Sequence, residues 1–159
     1  MNFRIGNGYD VHRLADGIPL WLGGIQIPHS KGCVAHSDGD VLIHALCDAL
    51  LGAANLRDIG HHFPDNDNTY KNIDSKILLN RTVEILAQNS YQIGNVDAVL
   101  CLQQPKVKDF IPKMQSCLAE VMRVSTDQVS IKATTAEKLG FVGREEGVEA
   151  HAVALIYKT

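Results

Sequence analysis

Ala35-His36-Ser37-Asp38-Gly39-Asp40-Val41-Leu42-Ile43-His44 gathers two histidines, two aspartates and a serine into ten positions, then runs into apolar sequence. Val41, Leu42, Ala45, Leu46, Ala49, Leu50 and Ala53 follow the three-and-four spacing of a helix with one buried face. Ser37, followed three residues later by Asp40, resembles a capping box with Asp in the usual Glu/Gln place. The polar cluster therefore sits at a predicted helix N-terminus, where free N–H groups and the dipole favour anions. His44 lies one turn inside, with Asp40 and Asp48 four residues to either side. Those two carboxylates are candidates to orient His44, or serve as helix cap and surface charge.

Outward from this helix, strands and helices alternate. Phe3 to Leu14 is a predicted strand in which Gly6 and Gly8 invite close backbone approach or a bulge. Asp10 and His12, two apart, share one of its faces. Leu20-Trp21-Leu22 and Ile25-Gln26-Ile27 flank Gly23-Gly24, a two-residue hairpin signal, and Pro28 to Cys33 reads as loop. Arg57 to Tyr70 has no period and many turn formers; a loop of that length is usually functional or mobile. Asp74 or Ser75 caps a second helix to about Gln88, Ile93 to Gln103 is a central strand, and a third helix carries Pro112 in its first turn. Val129 to Thr135 and Val148 to Tyr157 complete the strands. The pattern is one α+β or α/β domain over residues 1–159, its sheet covered by three helices.

The 159 residues carry a formal charge of −3 with 21% charged side chains, so no basic field exists to hold nucleic acid. No apolar run of about 18 residues is present to span a membrane, and Met1 to Gly6 lacks a signal-peptide core. Cys33, Cys47, Cys101 and Cys117 are widely spaced with no C-x-x-C, which reads as free thiols in a reducing cytoplasm.

Asp10, His12 and His44 together make an Asp-His-His set. Three N/O ligands with an open fourth position suit catalytic zinc, and the same set suits non-haem Fe(II). Ser37, Thr134, Thr135, Lys106 and Lys132 are phosphate-binding types. No Walker A motif, no G-x-G-x-x-G and no activated serine or cysteine pattern accompanies them. A metal with phosphate binders and no protein nucleophile points to phosphoryl transfer by positioning and charge neutralisation. Iron-dependent oxidation through the same triad and a non-enzymatic binding protein whose metal is structural are the competing readings.

Several blocks, in order along essentially the whole chain, closely resemble the 2-C-methyl-D-erythritol 2,4-cyclodiphosphate synthase family. They are Gly8-Tyr9-Asp10-Val11-His12, Ala35-His36-Ser37-Asp38-Gly39-Asp40, Asp48-Ala49-Leu50-Leu51-Gly52-Ala53, Asp58-Ile59-Gly60, His62-Phe63-Pro64-Asp65, Pro105-Lys106, Lys132-Ala133-Thr134-Thr135 and Glu137-Lys138-Leu139-Gly140-Phe141. The resemblance implies an α+β two-layer sandwich with a mixed four-stranded sheet, a small hairpin and helices on one face. It implies a homotrimer around a central axis, with active sites shared between subunits. The implied reaction closes a CDP-methylerythritol 2-phosphate into a cyclic diphosphate and releases CMP, in non-mevalonate isoprenoid synthesis. The substrate's own phosphate is the nucleophile.

By the same resemblance, Asp10, His12 and His44 bind Zn2+, and Glu137 helps hold a second ion, Mg2+ or Mn2+. His36 and Thr135 stabilise the transition state. Ser37 and Asp65 hold the methylerythritol phosphate, and Asp58 and Gly60 meet the ribose. Leu102, Lys106, Val107, Lys108, Ala133 and Thr134 form the cytidine and phosphate pocket of a neighbouring subunit. Phe141 and Arg144 lie near substrate and the trimer axis, where Arg144 and Glu146 match the lining of a cavity for an isoprenoid diphosphate. Arg57, Asn66, Lys108 and Ala136 depart from common family residues without removing a ligand.

Overall fold

The computed structural model describes residues 2–159. The chain begins with a long strand, β1 (Phe3–Asp16), then a hairpin of β2 (Leu20–Leu22) and β3 (Ile25–Ile27), and a short β4 (Lys31–Cys33). Helix α1 (Val41–Ala53), a single turn α2 (Ile59–His62) and α3 (Ser75–Gln88) follow. Then come β5 (Tyr91–Cys101), α4 (Ile111–Met122), β6 (Val129–Thr134), a turn of helix α5 (Gly140–Gly143) and β7 (Gly147–Lys158).

The main sheet has five strands in the order β4-β1-β7-β5-β6, with β2-β3 as a separate ribbon. The mixed four-stranded sheet expected from the sequence is therefore one strand too few. The extra strand is β4, inside the segment read as loop. It pairs with the overhanging end of β1, Leu14 opposite Cys33 and Asp16 opposite Lys31, giving those backbone groups partners. β1 runs antiparallel to β7, and β7 to β5, while β5 and β6 are parallel and joined through α4. A parallel pair needs such a crossover.

Gly23 and Gly24 both take positive φ, 61° and 80°, as a two-residue hairpin turn requires. Close approach explains the glycines of β1. A Cβ on Gly8 would lie 1.9 Å from the Ala45 carbonyl oxygen of α1. Gly8→Ala is expected to push α1 off the sheet and destabilise the protein by about 3 kcal/mol, read by denaturant unfolding. A loss within about 0.5 kcal/mol would show that the helix has room to move.

α1 differs from its expected one-faced burial. Eleven residues from Val41 to Ala53 are buried, on every side of the helix. The sheet covers one side, and α3, α2 and β2 cover the rest, so the helix is the centre of the core. Its N-cap is Asp40, whose carboxylate accepts the Ile43 N–H, not Ser37. Among the described residues no helix covers the sheet's other face. Phe3, Ile5, Tyr9 and Val11 of β1 and Val153 of β7 stand exposed there, Ile5 at 73%. Among the described residues no helix is long and apolar enough to cross a membrane. All four cysteines are free.

Candidate metal centre and adjoining cleft

Asp10 and His12 point from β1 toward α1, opposite Ala150 and Val148 of β7. His44 reaches back from the first turns of α1. The three ligand atoms form a nearly equilateral triangle. His44 Nδ1 is 3.0 Å from Asp10 Oδ2 and 3.0 Å from His12 Nε2, and His12 Nε2 is 3.2 Å from Asp10 Oδ2. Ligands about 2.0–2.1 Å from a tetrahedral metal stand about 3.3 Å apart, so the donor set fits a zinc-type ion with its fourth position open. Among the described residues this is the one cluster of three or more potential ligands.

The local electrostatics agree. Burial pushes the His12 imidazole down, against the pull of Asp10. Burial also works downward on His44, but its hydrogen bond to Asp10 and that residue's charge prevail and hold it above the usual value. A site that stabilises positive charge between Asp10 and His44 is suited to a cation.

A cleft of about 350 Å³ opens on the triad, walled also by His36, Ser37, Gly60 and Asp65. His36 is tied to the segment after α2 through its Nε2, which donates to the Asp67 carbonyl at 3.2 Å. That segment is not structureless, as its composition suggested. Asp58 caps α2 by accepting the His61 N–H at 2.8 Å, and residues 68–70 form a 3-10 turn. Phe63, Tyr70 and Ile73 complete the cleft wall and carry no sequence signal for that role.

Other expected site residues lie elsewhere on the chain. Leu102, Lys106, Val107, Lys108, Ala133, Thr134 and Thr135 line a separate depression of about 130 Å³. Thr135 accepts the Glu137 N–H at 3.3 Å, and Glu137 is not part of the Asp10-His12-His44 cluster. Phe141 lines a third hollow beside Val11 and His12, and Arg144 pairs with Glu146 at 2.8 Å on the surface. One chain thus brings together His36, Ser37, Asp65, Gly60 and the triad, and leaves Thr135, Glu137 and the 102–108 segment apart from them.

Three expectations are corrected. The α1 N-terminus does not offer its first turn freely to an anion, because the buried Asp40 carboxylate already takes the Ile43 N–H. Asp40 and Asp48 do not orient His44; Asp40 binds Gly23, Gly24 and Ile43, and Asp48 accepts the Ile59 N–H at 2.7 Å. Lys132 pairs with Asp97 on the uncovered sheet face. Burial pushes Cys33 and Cys47 up to about 12, and it raises Cys101 and Cys117 as well.

A model of the YgbB family matches residues 3–157. A 2-C-methyl-D-erythritol 2,4-cyclodiphosphate synthase of Bacteroides fragilis is 63% identical over 156 residues, covering 98% of both chains. The IspF–CDP complex of Plasmodium falciparum superposes with a TM-score of 0.86 at 33% identity, over 100% of this chain and 99% of that one. The bifunctional IspDF of Campylobacter jejuni gives a TM-score of 0.95 at 42% identity; it covers 99% of this chain, which spans 42% of that longer one.

Proposed function

The chain belongs to the YgbB family, and from that premise we propose that it performs the reaction for which its relatives are named. It closes 4-diphosphocytidyl-2-C-methyl-D-erythritol 2-phosphate into 2-C-methyl-D-erythritol 2,4-cyclodiphosphate and releases CMP, a step of non-mevalonate isoprenoid synthesis. The observation that carries this reading is the Asp10-His12-His44 triangle lining a cleft of about 350 Å³.

The chemistry is internal to the substrate. An oxygen of the 2-phosphate forms a bond to the β-phosphorus, and the bond from that phosphorus to the bridging oxygen breaks. CMP departs with the bonding electrons, which makes the enzyme a phosphorus–oxygen lyase. Asp10, His12 and His44 would hold zinc, which when bound supplies charge neutralisation at the β-phosphate. Asp10 offsets one of its charges, so the site stays attractive to phosphate. His36 and Ser37, on the same wall, bind and orient phosphate oxygens. Asp65 and Gly60 face the polyol and ribose hydroxyls, with Asp58 shaping that wall as the cap of α2.

Thr135 as a transition-state group, Glu137 as holder of Mg2+ or Mn2+, and the cytidine pocket at 102–108 and 133–134 need a second subunit. Two observations support a homotrimer: these residues lie outside the cleft of their own chain, and the apolar sheet face of β1 and β7 is uncovered. Phe141, Arg144 and Glu146 then approach the trimer axis and its proposed isoprenoid-diphosphate cavity. Ile5→Asp is expected to yield monomer by light scattering and to lose CMP release while retaining zinc. A trimer of unchanged activity would contradict this assembly.

The test of the function itself is a CMP-release assay on the protein before and after chelation. Removing metal should slow turnover by about 10³-fold or more, and added zinc should restore it. Cyclisation at the original rate without metal would overturn the mechanism.

A further inference from the structure

His44 presents Nδ1 to Asp10 and His12, and its other nitrogen, Nε2, faces two hydroxyls. Ser75 Oγ lies 2.9 Å away and Ser37 Oγ 3.1 Å away. Ser75 is fully buried at the first position of α3. It is not that helix's cap, since Asp74 accepts the Lys76 N–H at 2.9 Å. Its hydroxyl donates to Asp38 Oδ1 in a short hydrogen bond, and its N–H donates to Asp38 Oδ2 at 2.9 Å. Asp38 is itself held by the Asp40 N–H at 3.1 Å.

The proton count follows from these contacts. An ionised carboxylate only accepts, so the single Ser75 hydroxyl proton points at Asp38. What Ser75 turns toward His44 is a lone pair. When Nδ1 serves as a metal ligand, the ring proton is carried on Nε2, where it can donate to that lone pair. Nδ1 is the atom aimed at the other two ligands. The opposite tautomer would place a hydrogen where a metal must bind. Ser37 does not substitute for Ser75: it sits at the cleft wall, and its oxygen also accepts the Gly39 N–H at 3.2 Å.

We propose that Ser75, fixed by Asp38, is a positioning residue that holds His44 as its Nε2–H tautomer with the ring turned for metal binding. The proposal rests on the metal reading above. The chain of contacts joins the turn before α1 and α1 itself to the start of α3, more than thirty residues further along the chain. Asp38 and Ser75 thereby connect the packing of α3 to the metal affinity.

Zinc competition against a chromophoric chelator tests it, with parent and Ser75→Ala proteins side by side. The parent binds about one zinc per chain, and Ser75→Ala weakens the dissociation constant about 10- to 100-fold, with unfolding of the metal-free proteins showing that the variant is folded. Ser75→Ala binding within about twofold of the parent overturns the positioning role alone. A parent that binds no zinc overturns the metal reading, and this proposal with it. Imidazole ¹⁵N–¹H spectra of the zinc-loaded parent give a readout that needs no variant: His44 is expected to carry its proton on Nε2, shielded from solvent exchange by Ser75. A predominant Nδ1–H form overturns the proposal.

Discussion

His44→Ala is expected to leave the protein folded and associated while turnover falls by about 10³-fold or more and bound zinc is largely lost. The triangle has one corner from a helix and two from a strand. Removing the helix corner leaves only Asp10 and His12, and two protein ligands do not hold zinc against solvent. His44 makes no part of the exposed sheet face, so association should survive its loss. CMP release, metal analysis and light scattering on one preparation check all three statements. Full zinc occupancy in the variant would mean that His44 is not a ligand. Full turnover without zinc would mean that the ion has no part in the reaction. The contrast with Ser75→Ala is quantitative, since that variant keeps all three ligands and should lose only part of its affinity.

Asp40→Ala is expected to cost about 4 kcal/mol of stability, read by denaturant unfolding. Asp40 is fully buried, and its carboxylate takes three backbone N–H groups: Gly24 at 2.7 Å, Gly23 at 3.0 Å and Ile43 at 3.1 Å. Alanine leaves all three donors without a partner in a place water does not reach, at about 1–3 kcal/mol each, less the desolvation that the carboxylate no longer suffers. Asp40→Asn should lose less, about 1–3 kcal/mol. Its carbonyl can serve Gly23 and Ile43, while its NH₂ then meets the Gly24 donor. An alanine variant as stable as the parent would show that the hairpin and α1 do not depend on this carboxylate. The metal ligands are untouched by either change, so zinc binding by the folded fraction should persist.

These two residues also separate what could be read from the chain and what could not. His44, Asp10 and His12 were legible because their chemistry is unusual for their settings: a histidine within an apolar helix, and two ligand types sharing one strand face. Asp40 was legible as part of a helix start, since capping is local. Its hold on Gly23 and Gly24 was not, because those donors come from a hairpin sixteen residues away. β4 escaped notice for a related reason. Lys31-Gly32-Cys33 has no alternation of its own and becomes a strand only because the end of β1 needs a partner. α2 is one turn long, too short to show a period. Ser75 was visible as a candidate helix start; its second contact, to a histidine thirty-one residues earlier, carries no local signature.

The sequence by itself determined the order of the long strands and helices, the hairpin at Gly23-Gly24, the three candidate ligands and the family blocks. Side-chain periodicity, turn chemistry and residue type are properties of neighbours along the chain. The tertiary structure decided that the three candidate ligand atoms stand 3.0–3.2 Å apart, that Asp40 binds the hairpin while Asp38 and Ser75 meet beside His44, and that the 102–108 segment lies away from the cleft. Those facts depend on how closely α1 settles onto β1 at Gly8 and which carboxylate each turn buries. Packing sets both, between segments whose separation along the chain says nothing of their distance in space.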